Sequence, residues 1–161
     1  MQSILAVDRN RGLADNGWRP LCGISPALWG YRRLSAGSVK MKTILIVDDE
    51  RTNRMRLAQI AHSLGFSTIL ASDGLKALSV LEDNPDIDCV VTDCQMPNLD
   101  GPGLASRIRS GNAGLPILIY SAYRRVNEVA SLLDQGANGF LNYPVTRENL
   151  GEYLNRYLPK E

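Results

Sequence analysis

Ile44-Leu45-Ile46-Val47-Asp48-Asp49 decides how this chain is read. Four apolar residues run straight into two carboxylates, as a buried strand does when it ends at a charged loop. A second run, Cys89-Val90-Val91-Thr92, meets Asp93 in the same way. If the two strands lie side by side and parallel, their carboxyl ends bring three carboxylates into one pocket. Such a cluster repels itself. It holds together by sharing protons or by binding a hard cation such as Mg2+.

From Lys42 onward, apolar runs alternate with helical periodicity five times. Strands are expected at 43–47, 66–71, 87–92, 117–121 and 140–142. Helices are expected at 51–64, 75–81, 101–110, 126–135 and 146–158. Gly65, Gly111 and Gly136 close three of the helices, and Thr146 stands as the N-cap of the last. Five strand–helix units with nearly continuous apolar strands predict an α/β fold, a doubly wound parallel sheet with helices on both faces. In such sheets a ligand binds beyond the strand carboxyl ends, where the acidic residues fall.

Composition narrows the function classes. The chain has 161 residues, 44% of them hydrophobic, and a formal net charge of +1. That is enough apolar content for a packed core, and it points to no nucleic-acid or membrane partner. No apolar run is long enough to span a bilayer and no signal-peptide pattern opens the chain, so a cytoplasmic location is expected. Cys22, Cys89 and Cys94 are irregularly spaced and suit a reducing compartment. With a single histidine, His62, no zinc site is expected. His62 itself reads as a surface or half-buried helix residue.

Residues 1–40 break the rhythm. They hold six basic residues against two acidic ones, and a turn-rich stretch from Asn10 to Gly23. So short a piece buries little core alone. The expectation is two parts, a poorly ordered extension over residues 1–40 and a domain over 41–161, with Met41 as a conceivable start. Ile4–Gly12, Leu28 and Tyr31–Leu34 are similar to the opening of a dihydrofolate reductase. Ala27 stands where that family carries its active-site carboxylate, and no cofactor half follows, so no reductase activity is inferred.

Over residues 42–158 the chain resembles the receiver domain of two-component response regulators. The motifs are Val47-Asp48-Asp49, Thr92-Asp93, Met96-Pro97, Asp100-Gly101, Ser121-Ala122, Gly136-Ala137 and Phe140-Leu141 before Pro144. The resemblance implies a flavodoxin-like sheet of order 2-1-3-4-5. It implies Asp93 as phospho-acceptor and Asp48, Asp49, Asp93 and the backbone carbonyl of Gln95 around Mg2+. Ser121 becomes the hydroxyl that contacts a phosphoryl oxygen, and Phe140 the aromatic that turns with it. Gln95 and Tyr123 fall where the family tunes the lifetime of the phosphoryl group.

One position departs from the pattern. Tyr143 stands where the family has a lysine, and no lysine lies between Lys76 and Lys160. A tyrosine donates one hydrogen bond but brings no charge. Arg147, nearby in sequence, is the candidate substitute cation. An Asp-Asp pair after a strand is by itself more often a turn or a cap, and only the combination of three carboxylates reverses that reading. Trp18 and Trp29 read as packing or partner contacts, and Arg124-Arg125 as a solvated loop.

The expected function is a single-domain response regulator. It would not be an enzyme beyond catalysing its own phosphorylation and dephosphorylation. It would take its phosphoryl group from a sensor histidine kinase or a phosphotransfer protein and act on a downstream protein target. The face of the fourth strand, fourth helix and fifth strand would serve for docking, and that of the fourth helix, fifth strand and fifth helix for a homodimer. The alternative is a degenerate receiver that acts as an interaction module without phosphorylation, as Tyr143 suggests. A phosphate sink or shuttle within a phosphorelay is a third reading.

Overall fold

Thr43–Val47 forms β1, and residues 44–47 are at most 1% exposed because strands flank it on both sides and helices cover both faces. The computed structural model describes residues 40–122 and 126–158, with backbone alone at 126–129. The expectations for the extension over residues 1–39, for Cys22, Trp18, Trp29 and Tyr123, and for the Arg124-Arg125 pair lie outside the described residues.

After β1 come α1 (Arg51–Ser63), β2 (Ser67–Ala71), α2 (Gly74–Asp83), β3 (Cys89–Asp93) and α3 (Gly101–Gly111). Then follow β4 (Ile117–Ser121), α4 (Val126–Asp134), β5 (Gly139–Asn142) and α5 (Arg147–Tyr157). All pairings are parallel, and the strand order is β2-β1-β3-β4-β5. This is the flavodoxin-like sheet expected from the sequence. The register sets Val47 beside Thr92 and Asp93 beside Tyr120, so the residues that follow β1 and end β3 share one rim of the sheet.

Strand alternation divides the core in two. Leu45, Val47, Val90, Ile117 and Ile119 face α2, α3 and α4, where Ala77, Leu104, Ile108 and Leu132 pack on them. Ile44, Ile46, Val91, Leu118, Tyr120 and Leu141 face α1 and α5, against Leu57, Ala61, Leu150 and Leu154. Each large aliphatic side chain buried in this way contributes about 1.5–3 kcal/mol.

The starts of α2, α3 and α5 are set by short polar side chains. Asp73 accepts from Lys76 N–H at 3.0 Å, so α2 begins at Gly74, one residue earlier than its apolar periodicity suggests. Asp100 accepts from Gly103 N–H at 2.8 Å. Thr146 and Asn149 cap α5 reciprocally, as the sequence led us to expect for Thr146.

Arg109 ties together the end of the sheet opposite the acidic rim. Its guanidinium donates to the carbonyls of Gly136 at 2.8 Å, Leu115 at 2.6 Å and Asn112 at 3.2 Å, and to the Asn138 side chain.

Candidate functional site

The carboxyl ends of β1 and β3 carry the three carboxylates on one rim of the sheet, in three different environments. Asp48 is buried at 1% exposure, Asp49 is exposed, and Asp93 lies between. Asp48 Oδ1 accepts from Glu50 N–H at 2.6 Å, and its Oδ2 accepts from the Tyr120 hydroxyl. Asp93 Oδ1 accepts from Cys94 N–H at 2.8 Å. The Arg54 guanidinium, from the first turns of α1, donates to the backbone carbonyls of Asp48 and Asp49, the latter at 3.0 Å. It thereby fixes the β1–α1 turn that carries both acids.

Burial pushes the Asp93 carboxyl up to about 6, and the negative charges of Asp48 and Asp49 push in the same direction. The N–H groups of Cys94 and Gln95 oppose the shift without cancelling it. Burial likewise raises the Tyr120 hydroxyl far above its ordinary range, with the Asp48 carboxylate adding to it, so Tyr120 stays a donor.

The loop after Asp93 packs directly on it. Gly101 N–H donates to Cys94 O at 3.1 Å, and a Cβ at position 101 would stand 2.3 Å from Asp93 O. Asn98 takes a positive φ of 68° at the loop's tip, a conformation that asparagine tolerates better than most residues. Ser121, 8% exposed, ends β4. It shares the face of Ile119, and Phe140 packs against that same core. The pair therefore lies on one side of the sheet.

Tyr143 lies beside Asn53, Arg56 and Tyr120. It is 42% exposed, its hydroxyl donates to Asn53 at 3.5 Å, and the Arg56 guanidinium lies 5.9 Å from its ring centroid. The peptide bond to Pro144 is cis. Arg147 does not substitute for the lysine. Its guanidinium bonds to Ser63 Oγ and O, each at 3.2 Å, because it projects from the start of α5 toward the end of α1. His62, as expected, is an exposed helix residue, in contact with Thr68 Oγ1 at 3.0 Å. Cys89 and Cys94 are buried, and burial pushes the Cys89 thiol up to about 12, which makes it inert at neutral pH.

Tyr120 is the residue that reading the sequence missed. Within Ile117-Leu118-Ile119-Tyr120 it looks like one more core side chain, and its partner Asp48 is 72 residues away.

Among the described residues, no three acidic, histidine or cysteine side chains converge as a ready-made metal cage. The oxygen donors present suit a hard cation that keeps most of its own water. The raised Asp93 carboxyl marks negative charge in need of a positive neighbour. A resident Mg2+ therefore fits the site.

A family model described as a response regulator receiver domain matches residues 44–155. The chain is 40% identical over 114 residues to the sensor histidine kinase RcsC of Escherichia coli, covering 71% of this chain and 12% of RcsC. It is 40% identical over 107 residues to the response regulator MprA of a Mycobacterium species, covering 66% of this chain and 46% of MprA. It thus spans less than half the length of either relative. Among solved structures it is similar to the receiver domain of a Pseudomonas aeruginosa sensor histidine kinase, solved with a magnesium ion coordinated in its active-site cleft. That match has a TM-score of 0.68 at 28% identity and covers 74% of this chain and 99% of the other. Among the described residues no helix is long and apolar enough to cross a membrane.

Proposed function

The chain belongs to the response regulator receiver family, and on that premise we propose that it accepts a phosphoryl group on Asp93 and signals through protein contacts. The observation that carries this reading is the Asp93 carboxylate itself. The N–H groups of Cys94 and Gln95 hold this carboxylate in place, and one of its oxygens is the nucleophile. That oxygen attacks the phosphorus of a phosphohistidine on a sensor kinase or phosphotransfer protein. The P–O bond forms as the P–N bond breaks, and the imidazole leaves with the electron pair. Mg2+, when bound, neutralises charge on the transferring group.

The chain's own residues do the rest. Asp49 and the Gln95 carbonyl offer direct ligands at the exposed edge. Ser121 offers a hydroxyl to a phosphoryl oxygen, and Phe140, in the same core, follows its movement. Output passes to a downstream protein over the β4–α4–β5 face, where Leu133 is 45% exposed.

Acetyl phosphate with Mg2+ tests the assignment. One phosphoryl group labile in alkali should appear by mass spectrometry and be absent from Asp93→Asn. An unchanged yield in that variant would refute it.

A second reading, a receiver used as an interaction module without phosphorylation, is favoured by one observation. The side chain at the lysine position contacts Asn53 and brings no charge. A wild type that stays unmodified under acetyl phosphate would select that reading.

A further inference from the structure

Asp48 is the one acid of the cluster that solvent does not reach. A buried carboxylate has to be hydrogen-bonded, and Asp48 has two donors. The Glu50 N–H is local backbone, which any residue but proline would supply at position 50. The Tyr120 hydroxyl is not local. It rises from β4, and β3 lies between β4 and the strand that carries Asp48. Only a long side chain ending in a donor spans that gap. Phenylalanine has the length without the donor, and serine or threonine the donor without the length. Tyr120 is itself 2% exposed and belongs to the core of Leu57, Leu141 and Val145, so its ring cannot swing away.

We propose that Tyr120 is a positioning residue of the cation site, locking the Asp48 carboxylate so that its remaining lone pairs face a metal-bound water. The inference rests on the receiver reading above. A carboxylate free to rotate must be ordered when the cation arrives, and outer partners of this kind tune metal affinity strongly.

The opposing view is a core tyrosine that has merely found the nearest acceptor. Mg2+ titrations of the full chain, followed by calorimetry and by amide shifts, separate the two. Tyr120→Phe keeps the ring and should fold, yet its Mg2+ dissociation constant should rise about tenfold. Tyr157→Phe removes a hydroxyl that bonds Asn138 O and should leave the constant unchanged. Wild type should also show a slowly exchanging hydroxyl proton that is missing in Tyr120→Phe and moves when Mg2+ is added. Unchanged or tighter binding in Tyr120→Phe overturns the proposal. So does a hydroxyl proton that stays in place while the Asp48 and Asp49 amides move, or an equal loss in Tyr143→Phe with none in Tyr120→Phe. Acetyl phosphate labelling keeps the two ideas apart. A phosphorylated wild type with normal Mg2+ binding in Tyr120→Phe sinks this inference alone. A wild type that neither binds Mg2+ nor accepts a phosphoryl group sinks both.

Discussion

Asp93 is held in a state that costs stability when it is charged. Its carboxyl sits at about 6 in the fold against an ordinary 3.8, because burial and two neighbouring acids disfavour the anion. The folded chain therefore binds the proton more tightly than the unfolded one, and this contribution to stability is lost as pH rises through about 6. Asp93→Asn removes the penalty. With allowance for solvent at this half-open site, it should stabilise the metal-free protein by about 1 kcal/mol at pH 7.5. The gain should shrink as pH falls through about 6 toward 3.8, and also shrink with Mg2+ present. Urea unfolding across pH checks all three. Position 143 gives a second outcome at this scale. Tyr143→Lys places a point charge at the position where the family has a lysine. A charge-assisted bond exceeds a neutral one by roughly 1 kcal/mol or a little more. Phosphorylation of Asp93 by acetyl phosphate should then run about tenfold faster, with larger shifts at Ser121 and Phe140 on adding beryllofluoride.

At the scale of elements, the β3–α3 connection is the tightest joint near the site. A methyl at position 101 would meet Asp93 O at 2.3 Å, whereas a methyl at Gly111, the other end of α3, meets nothing within 4 Å. Gly101→Ala should cost about 2 kcal/mol and slow phosphorylation by displacing Asp93, while Gly111→Ala should be neutral or mildly stabilising. Denaturant midpoints and labelling rates on the two variants test the contrast. The same elements show what the sequence made legible. β1 and β4 fall on the expected residues, because both are apolar runs bounded by polar or turn residues. α2 starts earlier than its periodicity suggests, because Asp73 recruits Gly74 into the first turn. The Tyr120–Asp48 bond was not legible at all. Local pattern carries no signal for a hydroxyl that crosses a neighbouring strand, and an aromatic in an apolar run reads as packing.

For the molecule as a whole, stability and chemistry sit at opposite ends of the sheet. Arg109 satisfies three carbonyls and the Asn138 side chain at the end away from the acids. Arg109→Ala strands those groups and should destabilise the fold by about 3 kcal/mol. Mg2+ affinity measured well below the unfolding midpoint should not change. A fall in affinity would mean that the two ends are coupled through α3. The division of the core bears on how this protein can be recombined. Tyr120 and Ser121 are adjacent in the chain, yet one belongs to the layer of α1 and α5 and the other faces the layer of α2, α3 and α4. Two neighbouring codons thus answer to two separate sets of packing neighbours. A chimera that imports β4 from a relative replaces both at once, and it should inherit the donor's cation site together with the donor's switch, while single substitutions can take one and leave the other.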